Sequence, residues 1–384
     1  MYLGREYEER LFRRDVASID WTRWRFIRGG FSLVALIHKN PRPRKEGQAR
    51  RRNWSRFGIQ QRCRLKAFGT GFLLWVLIGT IGMPLASFGE QRKTLGMWVW
   101  SRSSFATEEA RHQLVQFCVE HRIRHLDVHV TMTHDGDNAT LKDAEAFKDL
   151  IMLATQHGIT IAALRGNPKM FFSENHDRTL RELRAIIAFS RTLPPRTSFK
   201  GIKYDVEPYA TKEWKGGETL LYPVILDYLT LLRGARSTLD KEASQLWLAV
   251  DTPFWWDKDR FAVEFEGKRK RLSEHVQDLS DFVTIMSYRR SSRKILDCVA
   301  EERRYAQRIR KFIFPSLETI KLEQDPHISF WGVPKEEFWK VIPELMDEAE
   351  CDPAIGGVML HCYRSLFEKF NNSAPFPPKQ MTSD

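Results

Sequence analysis

Short runs of β-branched and aromatic residues alternate with helical patterns from residue 94 almost to the end of the chain. The runs predict eight strands, at 95–100, 124–130, 159–165, 200–207, 246–252, 281–288, 311–319 and 354–361. Apolar residues at helical spacing lie between them, in stretches such as 107–122, 141–157, 177–192, 218–239, 296–310 and 335–350. Strands that alternate with helices favour a parallel sheet, and eight such units can close into a barrel. The predicted fold is therefore a (β/α)₈ (TIM) barrel of the α/β class over residues 94–365.

Polar residues recur on one side of these strands, because successive residues of a strand point to opposite faces. In strand 200–207, Lys203, Asp205 and Glu207 share the predicted interior face. The same alternation predicts further interior groups at the carboxyl ends of the strands: Trp98, Trp100, Asp127, His129, Arg165, Asp251, Tyr288, Glu318, His361 and Tyr363. Active sites of (β/α)₈ barrels lie at that end. Clustered acids are costly to desolvate, so we expect a functional site there.

The net charge of +12 is confined to the start of the chain. Residues 1–66 hold 18 Lys and Arg against 6 Asp and Glu, whereas the remainder holds 43 of each sign. A neutral body without a basic stripe argues against a nucleic-acid partner. We expect residues 1–66 to be a basic N-terminal segment that is disordered or results from an over-called start codon.

Residues 67–89 form an apolar run without a single charged residue, directly after the basic stretch 62–66. This pattern fits a signal peptide, or a membrane anchor of about 20 residues. In both cases the positive flank stays in the cytoplasm, and the barrel domain at 90–384 is exported, to face the periplasm or the exterior. A buried core helix is the third alternative.

The five cysteines form no CxxC motif and no Cys/His cluster, so no zinc site and no cofactor are predicted. Cys118 and Cys362 occupy apolar positions, where buried free thiols are expected. Metal chemistry is left open as an alternative, because four interior groups are able to converge: Asp127, His129, Asp251 and His361.

Asp205 and Glu207 are the candidate acid–base pair. Two neighbouring carboxyls cannot both ionise freely, so the pKa of one of them rises. A carboxylic acid that is protonated near neutral pH can protonate a glycosidic oxygen, and Glu207 lies nearer the barrel mouth. Six aromatic side chains offer stacking surfaces for sugar rings: Trp98, Trp100, Tyr209, Trp255, Trp256 and Trp331. The adjacent pair Trp255 and Trp256, just after strand five, is favoured. The expected substrate is a carbohydrate.

Three segments resemble glycoside hydrolase family 18, in order and in spacing. Residues 199–207 (FKGIKYDVE) resemble its fourth-strand signature, an aromatic residue followed by Asp-Gly-Ile-Asp-Ile-Asp-Trp-Glu. Residues 283–288 (VTIMSY) resemble its sixth-strand Met-Thr-Tyr run, and 356–360 (GGVML) its eighth-strand Gly-Gly-Val-Met. The DVEPY sequence at 205–209 is more similar still to uncharacterised barrel proteins related to that family.

This resemblance implies a chitinase-like barrel. In it, Glu207 would be the general acid, Asp205 its partner, and Tyr288 the hydrogen-bond donor to a substrate N-acetyl group that attacks the anomeric carbon. The sequence departs from the family pattern at three places, since Lys200 and Lys203 replace the first two Asp and His361 replaces the eighth-strand Trp.

Three alternatives stand beside this interpretation. Glu318 on strand seven is placed to be the nucleophile of a retaining glycosidase, with its carboxyl about 5–5.5 Å from that of Glu207; otherwise it would be a rim residue that binds sugar hydroxyls or pairs with Arg289. The barrel would bind carbohydrate without cleaving it if Lys203 held Asp205 ionised. Deacetylase, lyase or phosphate-ester chemistry on the same barrel is the third.

Overall fold

The structure, a computed structural model, describes residues 93–194 and 196–370. The expectations for the basic segment 1–66 and the apolar run 67–89 concern residues outside these ranges. Within them, no helix combines the length and hydropathy needed to cross a bilayer.

The strands of the described ranges follow the predicted positions and add two hairpins. They are β1 (Thr94–Val99), β2 (His125–His129), β3 (Met132–Asp135), β4 (Asn138–Leu141), β5 (Thr160–Arg165), β6 (Gly201–Tyr204), β7 (Trp247–Pro253), β8 (Ala262–Phe265), β9 (Lys268–Arg271), β10 (Phe282–Met286), β11 (Phe312–Glu318) and β12 (Gly357–His361). The helices are α1 (Glu108–Glu120), α2 (Ala144–Gln156), α3 (His176–Thr192), α4 (Lys212–Lys215), α5 (Glu218–Glu242), α6 (Leu272–Leu279), α7 (Ser292–Cys298), α8 (Ala300–Ile309), α9 (Lys335–Cys351) and α10 (Tyr363–Phe370).

Eight of these strands form a closed parallel barrel in the order β1, β12, β11, β10, β7, β6, β5, β2. The barrel closes where β1 pairs with β2 on one side and with β12 on the other. The predicted (β/α)₈ fold is therefore confirmed, and the carboxyl ends of the strands meet at one face.

The hydrophobic core lies between the barrel and the surrounding helices. On β2, Leu126 and Val128 are fully buried in this outer core, and Asp127 between them points to the interior. On α1, the predicted apolar stripe that includes Phe117 and Cys118 is buried in the same core. Burial of apolar area on this scale is the main force that holds the barrel together.

Closure of the barrel needs a glycine at the start of β12. Gly357 has φ +150°, and a Cβ atom there would lie 1.9 Å from the carbonyl oxygen of Thr94 on β1. No side chain fits that distance, so the absence of one lets the last strand pair with the first.

The sequence pattern missed the two short hairpins, β3–β4 after β2 and β8–β9 after β7. Both leave the carboxyl ends of barrel strands, where loops carry function in this fold. The single helix predicted at 296–310 is two helices, α7 and α8, which meet at Val299. Cys118 and Cys362 are buried free thiols, as expected.

Candidate active site

A buried lysine lies at the centre of the barrel interior. The Lys203 ammonium is 3.1 Å from Asp127 Oδ2 and 2.9 Å from Asp251 Oδ1, and all three side chains are at most 1% exposed. It also donates a hydrogen bond to the Thr284 hydroxyl. We call Lys203, Asp127, Asp251 and Thr284 the lysine cluster.

Charges within the lysine cluster balance only in part. Burial opposes the charged form of Lys203, but the two carboxylates outweigh it and its pKa lies above the usual value. Burial likewise opposes ionisation of Asp127, but Lys203 and His125 outweigh it and the pKa of Asp127 is lowered. For Asp251, burial prevails and raises the pKa to about 6. The lysine is therefore a fixed cation that holds Asp127 ionised.

Trp98 belongs to the base of the site. Its indole N–H donates to Asp251 Oδ2 at 3.0 Å, and the Lys203 ammonium lies 5.1 Å from its ring centre. The ring is only 1% exposed. The expectation that Trp98 offers a stacking face to a sugar is therefore wrong. Asp127, buried beneath Lys203, is equally out of reach of a substrate.

Asp205 stands just above this base, one residue past the end of β6. Its backbone N–H still donates to the Arg165 carbonyl, at 2.8 Å. Its Oδ1 is buried and has no hydrogen-bond partner among the residues that the structure describes. Burial, then repulsion from Glu207 and Asp251, raises the pKa of Asp205 well above its usual value. The spacing of the two carboxyls predicted a raised pKa within the pair, and the pKa of Asp205 is raised.

Glu207 is held by an aromatic wall. Its Oε1 accepts a hydrogen bond from the Tyr209 hydroxyl, and the Tyr209 ring packs edge-on against Trp255 at 5.5 Å between centroids. Glu207 and Trp255 are both half-buried, so both reach the surface of the mouth. Trp256, by contrast, is 0% exposed in the outer core, so it cannot stack on a sugar and that expectation is wrong.

Glu318 is fixed by the backbone that follows it. Its Oε1 accepts from the N–H groups of Thr319 and Ile320, both at 2.7 Å, and the His361 Nδ1 lies 3.0 Å from its Oε2. The Glu318 residue is 1% exposed. The expectation of a rim residue paired with Arg289 is therefore wrong. The Arg289 guanidinium lies over the ring of Phe254 at 5.0 Å.

His361 links this carboxylate to the barrel mouth. The Trp100 indole N–H donates to its Nε2 at 2.9 Å, so the neutral ring carries its proton on Nδ1, toward Glu318. Burial disfavours the charged imidazole, but Glu318 outweighs burial and raises the pKa of His361. His361 and Trp100 thus contact each other in the interior, as predicted. Hydrogen bonds with Trp100 and Glu318 hold the His361 ring in place.

Tyr288 lies two residues past the end of β10, beside His361. Its ring stacks on His361 at 6.2 Å. Burial, and after it the charges of Glu318 and Asp205, raises the pKa of the hydroxyl well above the usual value, so Tyr288 stays protonated. In the described part of the chain no group hydrogen-bonds this hydroxyl, which leaves it available as a donor.

Two predicted interior residues point elsewhere. Leu164 packs in the interior cluster, so Arg165, next in the strand, faces outward and donates to Val130 and to Glu182 on α3. Tyr363 lies past the end of β12, where strand alternation no longer applies. Its ring packs against Phe117 in the outer layer. Both interior assignments are therefore wrong, for Arg165 because the strand alternates in the other phase and for Tyr363 because the strand has ended.

His129 remains at the mouth, with its ring 5.5 Å from that of Trp100. Burial, and to a lesser degree the charge of Arg165, lowers the pKa of His129 to about 4. The imidazole is therefore neutral at physiological pH. No group of three or more potential metal ligands occurs within residues 93–194 and 196–370.

Sequence reasoning missed what Gly166 and Thr284 contribute. A Cβ atom on Gly166 would lie 2.6 Å from the Asp205 carbonyl oxygen and 3.2 Å from the Trp100 ring. Its missing side chain therefore leaves room for the Asp205 backbone and the Trp100 ring, which both pack against Gly166. The only available signal was the position of Gly166 directly after a predicted strand.

The pKa of Asp205 makes stability depend on pH in a predictable direction. A folded-state pKa above the unfolded value means that the unfolded chain releases this proton first, so stability falls as pH rises from about 4 toward the raised pKa. Asp205→Asn removes this loss. The variant is expected to gain stability over the wild type as pH rises, by up to about 1.4 kcal/mol per pH unit.

Urea unfolding at pH 4, 6 and 8 measures this gain. The matched control is Asp137→Asn, because the Asp137 side chain is 93% exposed. A difference between Asp205→Asn and the wild type that stays constant with pH would contradict a protonated Asp205.

Comparison with known proteins adds the fold alone. No protein-family model matches the chain, and no curated protein sequence matches it. A calcium-binding mutant of Bacteroides uniformis beta-glucuronidase 2 is similar in structure, with a TM-score of 0.50 and 12% identity over 71% of this chain and 30% of that one. A chitinase from Bacteroides thetaiotaomicron has a TM-score of 0.46 and 13% identity over 71% of this chain and 90% of that one. At such identities the likeness concerns the barrel.

Proposed function

We propose that this chain is a glycoside hydrolase-like enzyme that acts on a carbohydrate, with Glu207 as general acid and Asp205 as its partner. The observation that carries the proposal is the pair itself. The Asp205 Oδ1 atom is buried and has no hydrogen-bond partner among the described residues, and Glu207 contributes to the raised pKa of Asp205. Two adjacent carboxyls that hold one proton between them repel each other when both ionise, and such a pair suits proton transfer to a glycosidic oxygen through Glu207.

The mechanism that fits best is assisted by the substrate. On substrate binding the single proton of the pair would pass to Glu207, and the Asp205 carboxylate and the Tyr288 hydroxyl would hold an N-acetyl group for attack on the anomeric carbon. Glu207 would then deliver that proton to the leaving oxygen. The resemblance to glycoside hydrolase family 18 agrees with this division of roles.

The alternative with Glu318 as nucleophile fits less well. A nucleophilic carboxylate needs one oxygen open to the anomeric carbon. Oε1 of Glu318 already accepts two backbone N–H groups, and Oε2 faces His361. At 1% exposure, Glu318 is better suited to fixing the orientation of His361.

The non-catalytic alternative depended on Lys203 holding Asp205 ionised. Lys203 instead lies against Asp127 and Asp251. It acts on Asp205 more weakly than burial and the neighbouring carboxyls do. The argument for a silenced pair is therefore removed, which supports the enzyme.

Activity of the purified chain against a panel of aryl glycosides and cell-wall polymers tests the proposal. Release of product from an N-acetylated substrate, in preference to its counterpart without the acetyl group, is the expected result. Binding of glycans without any cleavage across the panel would favour the non-catalytic barrel.

We further propose that residues 67–89 direct export and that the domain at 90–384 functions outside the cytoplasm. The uncharged run after a basic flank supports this. Alkaline phosphatase fused after Gly89 is expected to be active, because that reporter folds only where disulfides form. A cytoplasmic reporter that is active at the same fusion point, with inactive phosphatase, would rule out export.

A further inference from the structure

A cavity opens at the carboxyl ends of the barrel strands, between the loops that follow β10 and β11. It has a volume of about 310 Å³, at the lower end of the range for small-molecule sites, and is lined by Arg290, Lys321, Glu323, Ser329 and Trp331, among others. We call it the cationic groove. No role described above uses it.

The groove is built by the loops that carry two residues of the mouth. Arg290 follows Tyr288 by two positions, and the loop 320–332 leaves β11 directly after Glu318. The Phe330 N–H donates to the Glu318 carbonyl at 2.8 Å, which ties the far end of that loop to the strand end. The cationic groove therefore lies beside the strand ends that carry Tyr288 and Glu318.

Arg290 is held in the groove by backbone carbonyls. Its Nε donates to the Ser329 carbonyl at 2.6 Å, and its Nη2 donates to the Pro326 carbonyl. These bonds fix the guanidinium plane, and Nη1 retains its donors. In the described ranges no carboxylate lies within ion-pair distance of Arg290.

Lys321 adds a second cation. It is exposed, and in residues 93–194 and 196–370 it makes no hydrogen bond or ion pair. Behind the groove, the Lys369 ammonium donates to the carbonyls of Trp331 and Val333, at 2.8 and 2.6 Å. Glu323 is the acidic residue among those that line the cavity. The groove is therefore positively charged on balance.

Trp331 gives the groove an aromatic wall. The Trp331 side chain is half-buried. The backbone N–H of Trp331 donates to Ser329 Oγ at 3.1 Å, which holds the backbone at this position. An aromatic face suits the apolar side of a sugar ring, and a guanidinium with a free edge suits a planar carboxylate. Both requirements are met by one kind of ligand.

We propose that the cationic groove is a subsite for a carboxylate-bearing sugar, a uronic acid, next to the sugar unit at Glu207. The inference rests on the proposed function, and it defines the substrate class as an acidic glycan. The ring of the uronic acid lies on Trp331, and its carboxylate is bound by Arg290 and Lys321.

Binding of methyl β-D-glucuronide and methyl β-D-glucoside to the full chain tests the groove, since the two probes differ only in the carboxylate. Ligand-observed NMR titration gives both Kd values. We expect the glucuronide to bind roughly tenfold more tightly, as one charge-assisted hydrogen bond predicts. Lys321→Gln and Trp331→Ala are each expected to lower the affinity for the glucuronide several-fold. Only Lys321→Gln is expected to reduce the ratio of the two affinities, glucuronide over glucoside.

The control is Lys340→Gln, because Lys340 is an exposed lysine of α9 away from the groove. Equal affinity for the two probes, no binding of either, or an unchanged preference in Lys321→Gln overturns the proposal. Displacement of the glucuronide by inorganic sulfate at equal concentration also overturns the proposal, because the groove would then be a general anion site and not a sugar subsite. Selective binding without any glycan cleavage supports the groove and counts against the hydrolase.

Discussion

Glu207→Gln is expected to lower kcat about 10²- to 10⁴-fold, the usual contribution of a general acid. The amide has the size of the carboxyl, and its oxygen can still accept from the Tyr209 hydroxyl. It cannot deliver a proton to the leaving oxygen. Fold and substrate affinity are therefore expected to persist while turnover is lost.

Aryl glycosides with different leaving groups make this test specific. A phenol of low pKa leaves without protonation, so the loss in Glu207→Gln is expected to shrink as the leaving group becomes more acidic. A merely structural defect would lower the rate equally for all of them. Glu218→Gln is the control, because Glu218 is an exposed carboxyl at the start of α5.

Unchanged turnover in Glu207→Gln on a glycoside with a poor leaving group would contradict the assignment. The acid role would then move to Asp251, whose pKa is raised to about 6 by burial, or to Glu318. Variants of these two residues separate the remaining candidates.

Lys203→Met is expected to destabilise the fold by about 3–5 kcal/mol, the cost of leaving buried charges without their partner. Methionine replaces the stem of the side chain but not its ammonium. Asp127 and Asp251 would then face each other in a fully buried place. Guanidinium unfolding at pH 7 measures the loss.

Neutralising the two carboxylates tests the cause. The triple variant Lys203→Met, Asp127→Asn, Asp251→Asn is expected to regain most of the loss, because neutral groups need no counter-charge. Lys200→Met is the control, since Lys200 is half-buried and, among the described residues, its ammonium donates only to the Arg196 carbonyl. This substitution should change stability by about 0.5 kcal/mol or less. A loss below about 1 kcal/mol in Lys203→Met would show that the lysine cluster does not depend on its cation.

The destabilised cluster should also respond to pH. Asp251 in the wild type has a pKa raised to about 6 by burial, and loss of the lysine raises it further. At pH 5 this carboxyl is neutral, so the penalty of Lys203→Met is expected to be smaller there than at pH 7.

The sequence alone was enough to predict the barrel and most of its interior face. Alternation by two residues identified Asp127, Lys203 and Asp251 as interior groups because these strands are regular over several residues. The rule failed at Tyr363, because this residue lies past the end of its strand. It also failed at Arg165, because the neighbouring Leu164 is the residue of that strand that faces the interior. Alternation is a property of strands and does not extend into the loops that follow them.

Pairing inside the barrel was decided by tertiary structure. Lys203 and Asp205 are two residues apart, yet the lysine contacts Asp127 and Asp251 on other strands. The sequence gives no measure of these cross-barrel distances, since they depend on the register of the strands. The separation into a buried lysine cluster and a half-exposed carboxyl pair arises from how far along its strand each residue lies. That same depth determines which side chains lose water, and desolvation is the largest cause of the raised pKa of Asp205.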